Sequence, residues 1–189
     1  MEELTLDVLL TRIQGTDEAA RAAARDGAGA VGAKAIQPLA KIAAGTELEV
    51  ARAANRAIQN IVFHAGRPGA EGEAQAVSDE LLKLLGDAQP VQLRRDVLWM
   101  IWQIAGEEAT DPVAALLTHA DLHDDARMTL ERLPGDKATA ALQAALAKAA
   151  DEAKPALAHS LRVRGIDTPG VPDLRLKPTK STAVKSVGR

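Results

Sequence analysis

The sequence predicts an all-α fold, a right-handed α-α superhelix of about four to five stacked helix pairs ending in an extended carboxy-terminal tail. Three observations carry that expectation. The apolar residues are mainly alanine and leucine rather than aromatics. An apolar stripe recurs along the chain at helical spacing. Proline and glycine fall where helices would begin and end.

Apolar residues make up 47% of the 189 positions but aromatics only 2%: Phe63, Trp99 and Trp102. Strands favour aromatic and β-branched side chains, which pack well on a pleated surface. Alanine and leucine lead the helix formers, so a core with few rings suits closely packed helices. No segment alternates polar and apolar residues as a half-buried strand does.

Taken in order, residues 4–14 place Leu6, Leu9, Leu10 and Ile13 on one helical face, a capping helix within a terminal unit 1–16. Residues 17–30 are dominated by alanine and open the solenoid proper, expected over 17–166. Ile36, Leu39, Ile42 and Ala43 mark a helix over 35–44. Val50, Ala54, Ile58 and Ile61 mark the next, and Val77, Leu81, Leu84 and Leu85 one over 73–85. Leu93, Val97, Ile101 and Ile104 follow, then Val113, Leu116 and Leu117 in 112–118. Leu122, Ala126, Leu130 and Leu133 form another stripe, and Ala138, Leu142, Ala145 and Leu146 another within 137–149. A weaker copy runs over 153–164 through Leu157 and Leu161. Asp111-Pro112 reads as an N-cap followed by proline at the first helical position, where its missing N–H costs nothing. Gln89-Pro90 and Lys154-Pro155 also place proline near helix starts. Gly45, Gly66, Gly86, Gly106, Gly135 and Gly165 follow helix ends, where a left-handed residue is favoured.

The stripes repeat. Val50, Ala54, Ile58 and Ile61 align with Leu93, Val97, Ile101 and Ile104 at an offset of 43, and Arg52 aligns with Arg95. Each copy has apolar residues at i, i+4, i+8 and i+11, one face of a helix. A helix pair is too thin to bury its own stripe, and stacking on neighbours joins the stripes into one core. The segments 49–61 and 92–106 resemble the short HEAT-like repeats first described in phycobilin lyases. That pattern is an apolar residue, arginine, small residues, a glycine turn and a second helix ending in leucines. The likeness covers roughly 17–166. It implies an armadillo- or HEAT-type solenoid and says little of chemistry, because such arrays host many functions.

Composition and motifs narrow the function classes. There is no cysteine, which removes disulfides, thiolate catalysis and cysteine-bound zinc. Its absence fits a cytoplasmic protein. The acidic start Met1-Glu2-Glu3 is unlike a secretory signal, and no apolar run approaches the ~20 residues of a membrane helix. There is no phosphate loop, nucleophile elbow or paired-histidine zinc motif. From Arg162 onward there are seven basic and two acidic residues, against totals of 23 and 26, so the body is acidic and the tail 167–189 basic. The tail is expected to lie on the solenoid through Val171, Leu174 and Leu176, or to meet an acidic partner. An acidic body argues against duplex nucleic acid, and no cofactor is implied.

The reading is therefore a non-catalytic scaffold for a protein or peptide partner, binding by its concave wall or by a tryptophan-bearing surface. The resemblance also leaves open an enzyme on the same array, phycobilin-lyase-like or DNA-glycosylase-like. Trp99 and Trp102 lie three apart and flank the apolar stripe, so they are the leading partner-binding candidates, with Arg95 beside them. Lys41 and Lys83 project from the second helices expected to line the concave wall. In the HEAT-like pattern the arginine braces a neighbouring repeat, which implies that role for Arg52 and Arg95, with Asp124 as the complementary charge in the third copy. His119 and His123, four apart with aspartates nearby, are weak metal candidates. HEAT-fold iron hydroxylases use His-Glu dipeptides, and here none of the four histidines is followed by glutamate.

Overall fold

The computed structural model describes residues 4–174, and among them it has ten α-helices and no strand. They are α1 (Leu6–Gln14), α2 (Glu18–Gly27), α3 (Ile36–Ala43), α4 (Leu48–Ala65) and α5 (Glu71–Lys83). The others are α6 (Val91–Ile101), α7 (Thr110–Ala114), α8 (His123–Arg132), α9 (Asp136–Lys148) and α10 (Lys154–Val163). The chain is an all-α solenoid. Packing divides it into two layers, with α2, α4, α6, α8 and α10 in one and α1, α3, α5, α7 and α9 in the other. No helix of the described residues is long and apolar enough to cross a membrane.

The predicted stripes form one continuous core. Ile36, Leu39, Ile58, Ile61, Leu81, Leu98, Ile101, Leu122 and Leu142 are fully sequestered. Burying each such side chain contributes about 1.5–3 kcal/mol. Between them sit buried alanines: Ala24, Ala54, Ala57, Ala126, Ala138 and Ala158. Having no side chain beyond Cβ, they let helix backbones approach closely, and this is why so ring-poor a composition packs well.

The layer containing α4, α6 and α8 is laced by polar rungs between successive helices. Asn60 Nδ2 donates to the Arg25 carbonyl at 2.9 Å, joining α4 to α2. Asn55 Nδ2 donates to Asp96 at 2.7 Å, joining α4 to α6. Thr129 Oγ1 donates to the Leu98 carbonyl at 3.0 Å, joining α8 to α6. Arg127 reaches the buried Ser160 hydroxyl at 2.6 Å, and Ser160 in turn donates to Glu131 at 2.7 Å. Apolar stacking supplies the energy, and directional rungs fix the rotation of each helix against the next.

Helix ends depart from expectation in places. Asp17 is a side-chain N-cap, accepting from the N–H groups of Ala19 and Ala20 at 2.9 and 3.1 Å. Asp17→Ala should lower stability by about 1 kcal/mol, measured by urea unfolding, because those N–H groups lose their acceptor. Asp111 is not a cap. The helix starts at Thr110, after a 3₁₀ turn over Glu107–Ala109, so Asp111 and Pro112 both sit inside the first turn. Proline is tolerated there because those N–H groups have no intrahelical partner. Among the predicted glycine caps only Gly135 and Gly165 have left-handed backbones, with φ of 81° at each. At Gly165 this lets Ile166 N–H reach back to the Leu161 carbonyl at 2.9 Å and close α10. Gly66 and Gly106, with φ of −77° and −93°, need no such freedom.

After α10 the chain is extended. Thr168 is buried, and Arg162 donates to the carbonyls of Thr168 and Val171. Leu174 does not pack on the solenoid as expected: it is 69% exposed. Leu176 and the basic stretch after it lie outside the described residues.

Candidate partner-binding surface

Trp99 falls in the last turn of α6 and Trp102 caps its end. The α6 stripe of Leu93, Val97 and Ile101 faces the core. Trp99 is two residues from both Val97 and Ile101, about 200° around the helix, and on that outward face it is 52% in solvent. Trp102 is partly buried. The two rings meet edge to face, centroids 5.7 Å apart at 79°. The Arg132 guanidinium of α8 lies 5.5 Å from the Trp102 ring centre, in cation–π range. Arg132 is itself held by the Met128 carbonyl at 2.8 Å. The buried Trp102 indole N–H has no acceptor among the described residues. Trp102 is thus a fixed support and Trp99 the exposed member of the pair. Between them, Asp125, Met128 and Thr129, the hollow measures about 20 Å³. That holds little more than a water-sized group, so this surface offers a face to dock on rather than a chamber.

Arg95 stands beside this surface. Its Nε donates to Asp125 at 2.9 Å and a terminal nitrogen donates to the Asp121 carbonyl at 2.7 Å, joining α6 to the start of α8. The complementary charge is therefore Asp125. Asp124, assigned that part from the alignment, pairs with Arg127 on its own helix at 3.2 Å. One residue along a helix is a rotation of about 100°, enough to turn Asp124 away. Arg52 likewise reaches no neighbouring repeat. It pairs with Glu49, three residues earlier on α4, at 2.9 Å. Lys41 is exposed on α3 and Lys83 pairs with Glu80 at 2.5 Å on α5. Both belong to the other helix layer, so the structure does not bring them together with the tryptophans.

The two histidines do not assemble a metal site. His119 Nδ1 accepts from the Asp121 N–H at 3.1 Å, and its Nε2 lies 3.4 Å from the Arg94 guanidinium. His123 Nδ1 donates to the Ala120 carbonyl at 3.0 Å. Among the described residues no group of three or more histidine, aspartate or glutamate side chains is placed to hold a metal ion.

Arg94 escaped the sequence reading. It is only 3% exposed and pairs with Asp87 at 2.9 Å. The signal was present: Arg94 lies four residues before the buried Leu98, on the same side of α6. A hollow of about 390 Å³ lies where the α7–α8 and α9–α10 turns meet, floored by Leu117, Ala145, Ala153 and Leu157. The charged Arg127 and Asp124 at its edge are already paired with each other.

No protein-family model matches this chain, and no curated protein matches it. Solved structures do. An engineered protein aligns at 19% identity over 84% of this chain and 78% of its own, with a TM-score of 0.43. A designed armadillo repeat protein, solved in complex with the peptide (KR)4, aligns at 20% identity over 82% of this chain and 80% of its own, with a TM-score of 0.45. A second designed armadillo repeat protein aligns at 18% identity over 82% and 80%, with a TM-score of 0.45.

Proposed function

We propose that the chain is a non-catalytic scaffold that binds a protein or peptide through the surface bearing Trp99 and Trp102. The observation that carries this reading is Trp99 itself. A large indole held half in solvent exposes apolar area to water at a cost that folding does not recover, and a partner covering it recovers that area. Its support is rigid, since Trp102 is pinned between Trp99 and Arg132, so little conformational entropy is lost when a partner docks. Aromatic and arginine side chains on a firm base are the usual energetic centre of an interface. The neighbouring Arg95–Asp125 pair, 41% and 30% exposed at its side chains, supplies a polar rim.

The test is affinity capture from the source cells with the wild-type chain and Trp99→Ala. Truncating an anchor residue costs at least about 2 kcal/mol of binding, so a partner retained by the wild type should be lost from Trp99→Ala. Unfolding should stay cooperative and stability should fall by only about 0.5–1.5 kcal/mol, the worth of the edge-to-face contact with Trp102. Equal retention by both proteins removes the tryptophan surface from the interface.

A further inference from the structure

The tryptophan surface leaves unused a cleft lined by four arginines. Helices α2 and α4 lie side by side and each carries two arginines one turn apart: Arg21 and Arg25 on α2, Arg52 and Arg56 on α4. All four line one open cleft of about 450 Å³. Arg25 and Arg56 also line a second hollow of about 280 Å³ that continues it toward Asn60. The set is only partly neutralised. Arg25 pairs with Asp26 at 2.7 Å and Arg52 with Glu49 at 2.9 Å, both on the surface. The Arg21 guanidinium donates to the Gly15 carbonyl at 2.5 Å, while its Nε is buried without an acceptor. The Arg56 side chain has no hydrogen bond or ion pair among the described residues. The Arg25 hydrogen bond, reinforced by the nearby Arg25 and Arg56 charges, holds the Asp26 carboxyl below its ordinary range. Four guanidinium groups around one cleft repel one another, and no carboxylate among the described residues is bonded to Arg56.

We infer that this α2–α4 cleft is a binding site for an acidic peptide segment, a run of aspartate or glutamate side chains on an extended chain. Guanidinium groups bind carboxylates through paired, parallel hydrogen bonds, which a lysine cluster does not do. Residues one helical turn apart stand about 5–6 Å from each other. Alternate side chains of an extended strand repeat at about 6.6–6.8 Å, so successive carboxylates on one edge of the peptide meet successive arginines. Incoming carboxylates exchange with Glu49 and Asp26, whose exposed pairs are weak, and engage Arg56 directly. The cleft favours a peptide over single-stranded nucleic acid. No aromatic side chain lines it to stack a base.

The site is tested on the full-length chain with fluorescein-labelled hexaglutamate, at about 50 mM salt where surface charge is least screened. The comparison is with the double variant Arg52→Gln/Arg56→Gln. Both side chains are exposed, so unfolding curves of the two proteins should coincide. The basic tail is the same in both, and the difference in affinity reads the cleft alone. Loss of two charge-assisted contacts should weaken binding by about tenfold or more. The glutamine pair Lys137→Gln/Lys148→Gln, an equal charge change on α9 in the other layer, should leave affinity unchanged. The inference is overturned if the arginine variant binds as tightly as wild type, or if the lysine variant is equally weakened. It is also overturned if oligothymidine displaces hexaglutamate at lower concentration than unlabelled peptide does, which would make the cleft a nucleic-acid site.

Discussion

Ile101→Ala should destabilise the chain by about 3–4 kcal/mol, within the range for large-to-small changes in a well-packed core. Ile101 is fully buried and ends α6, in the third of five stacked pairs, with α8 beside it in the layer and α5 before it in the chain. Its truncation removes apolar contact and leaves a void that rigid neighbouring helices cannot close. Against a typical total of about 5–15 kcal/mol this is a large share. At about 2–4 °C per kcal/mol for this size, Tm should fall by roughly 6–16 °C. Urea unfolding followed by circular dichroism reads the change. Phe63→Ala is the matched control: the side chain is larger but 62% exposed, and its loss should cost under about 0.5 kcal/mol. Equal effects would mean that Ile101 does not sit in a core.

Arg164→Ala should cost about 2–4 kcal/mol, unusually much for a charged residue near the end of the last helix. The final carbonyls of a helix have no intrahelical donor. Arg164 collects those at the end of α8, donating to Leu130 at 3.0 Å, Glu131 at 3.1 Å and Leu133 at 2.6 Å. It also donates to the Gly135 carbonyl at 2.5 Å and to Thr139 Oγ1 at 2.8 Å. Hydrogen bonds from a charged donor contribute about 1.5–3 kcal/mol each and do not add fully. Arg164→Lys should recover only part of the loss, because one ammonium cannot span acceptors arranged around a planar fork. Thermal unfolding of the three proteins gives the ranking. A lysine variant as stable as wild type would reduce the role of Arg164 to charge alone.

The helices were legible in the sequence because a period of 3.6 is written in side-chain chemistry. Leu93, Val97 and Ile101 predict a buried face whatever lies opposite, and they form one. Pairing between helices was not legible. The offset of 43 aligns Arg52 with Arg95, yet the two do different things. Arg95 finds Asp125 because α8 presents it, while at Arg52 the carboxylate in reach is Glu49 on its own helix. A partner is set by the rotation of the neighbouring helix, which one helix's sequence does not contain. The asparagine rungs were missed for a related reason. Asn55 follows Ala53-Ala54 and Asn60 lies between Gln59 and Ile61, where a short amide looks like any solvated side chain, and only the approach of α6 and α2 gives it work. Trp99 was legible as a position outside the buried stripe. The α2–α4 cleft was not, because its arginine pairs are about thirty residues apart in the chain and meet only when α2 and α4 pack side by side within one layer.

The dependence of each pair on its neighbours is tested most directly by the segment 70–105, which holds α5 and α6 with their turn, studied alone in water by circular dichroism and thermal melting. Cut out, it exposes Val77, Leu81, Leu98 and Ile101, which the full chain buries. Helices of 13 and 11 residues are marginal without tertiary packing. The segment should show little helix and no cooperative transition, while the full chain melts cooperatively. A monomeric segment that is strongly helical and melts in a single sharp step would mean that one pair holds its own core, and stacking would no longer explain the fold.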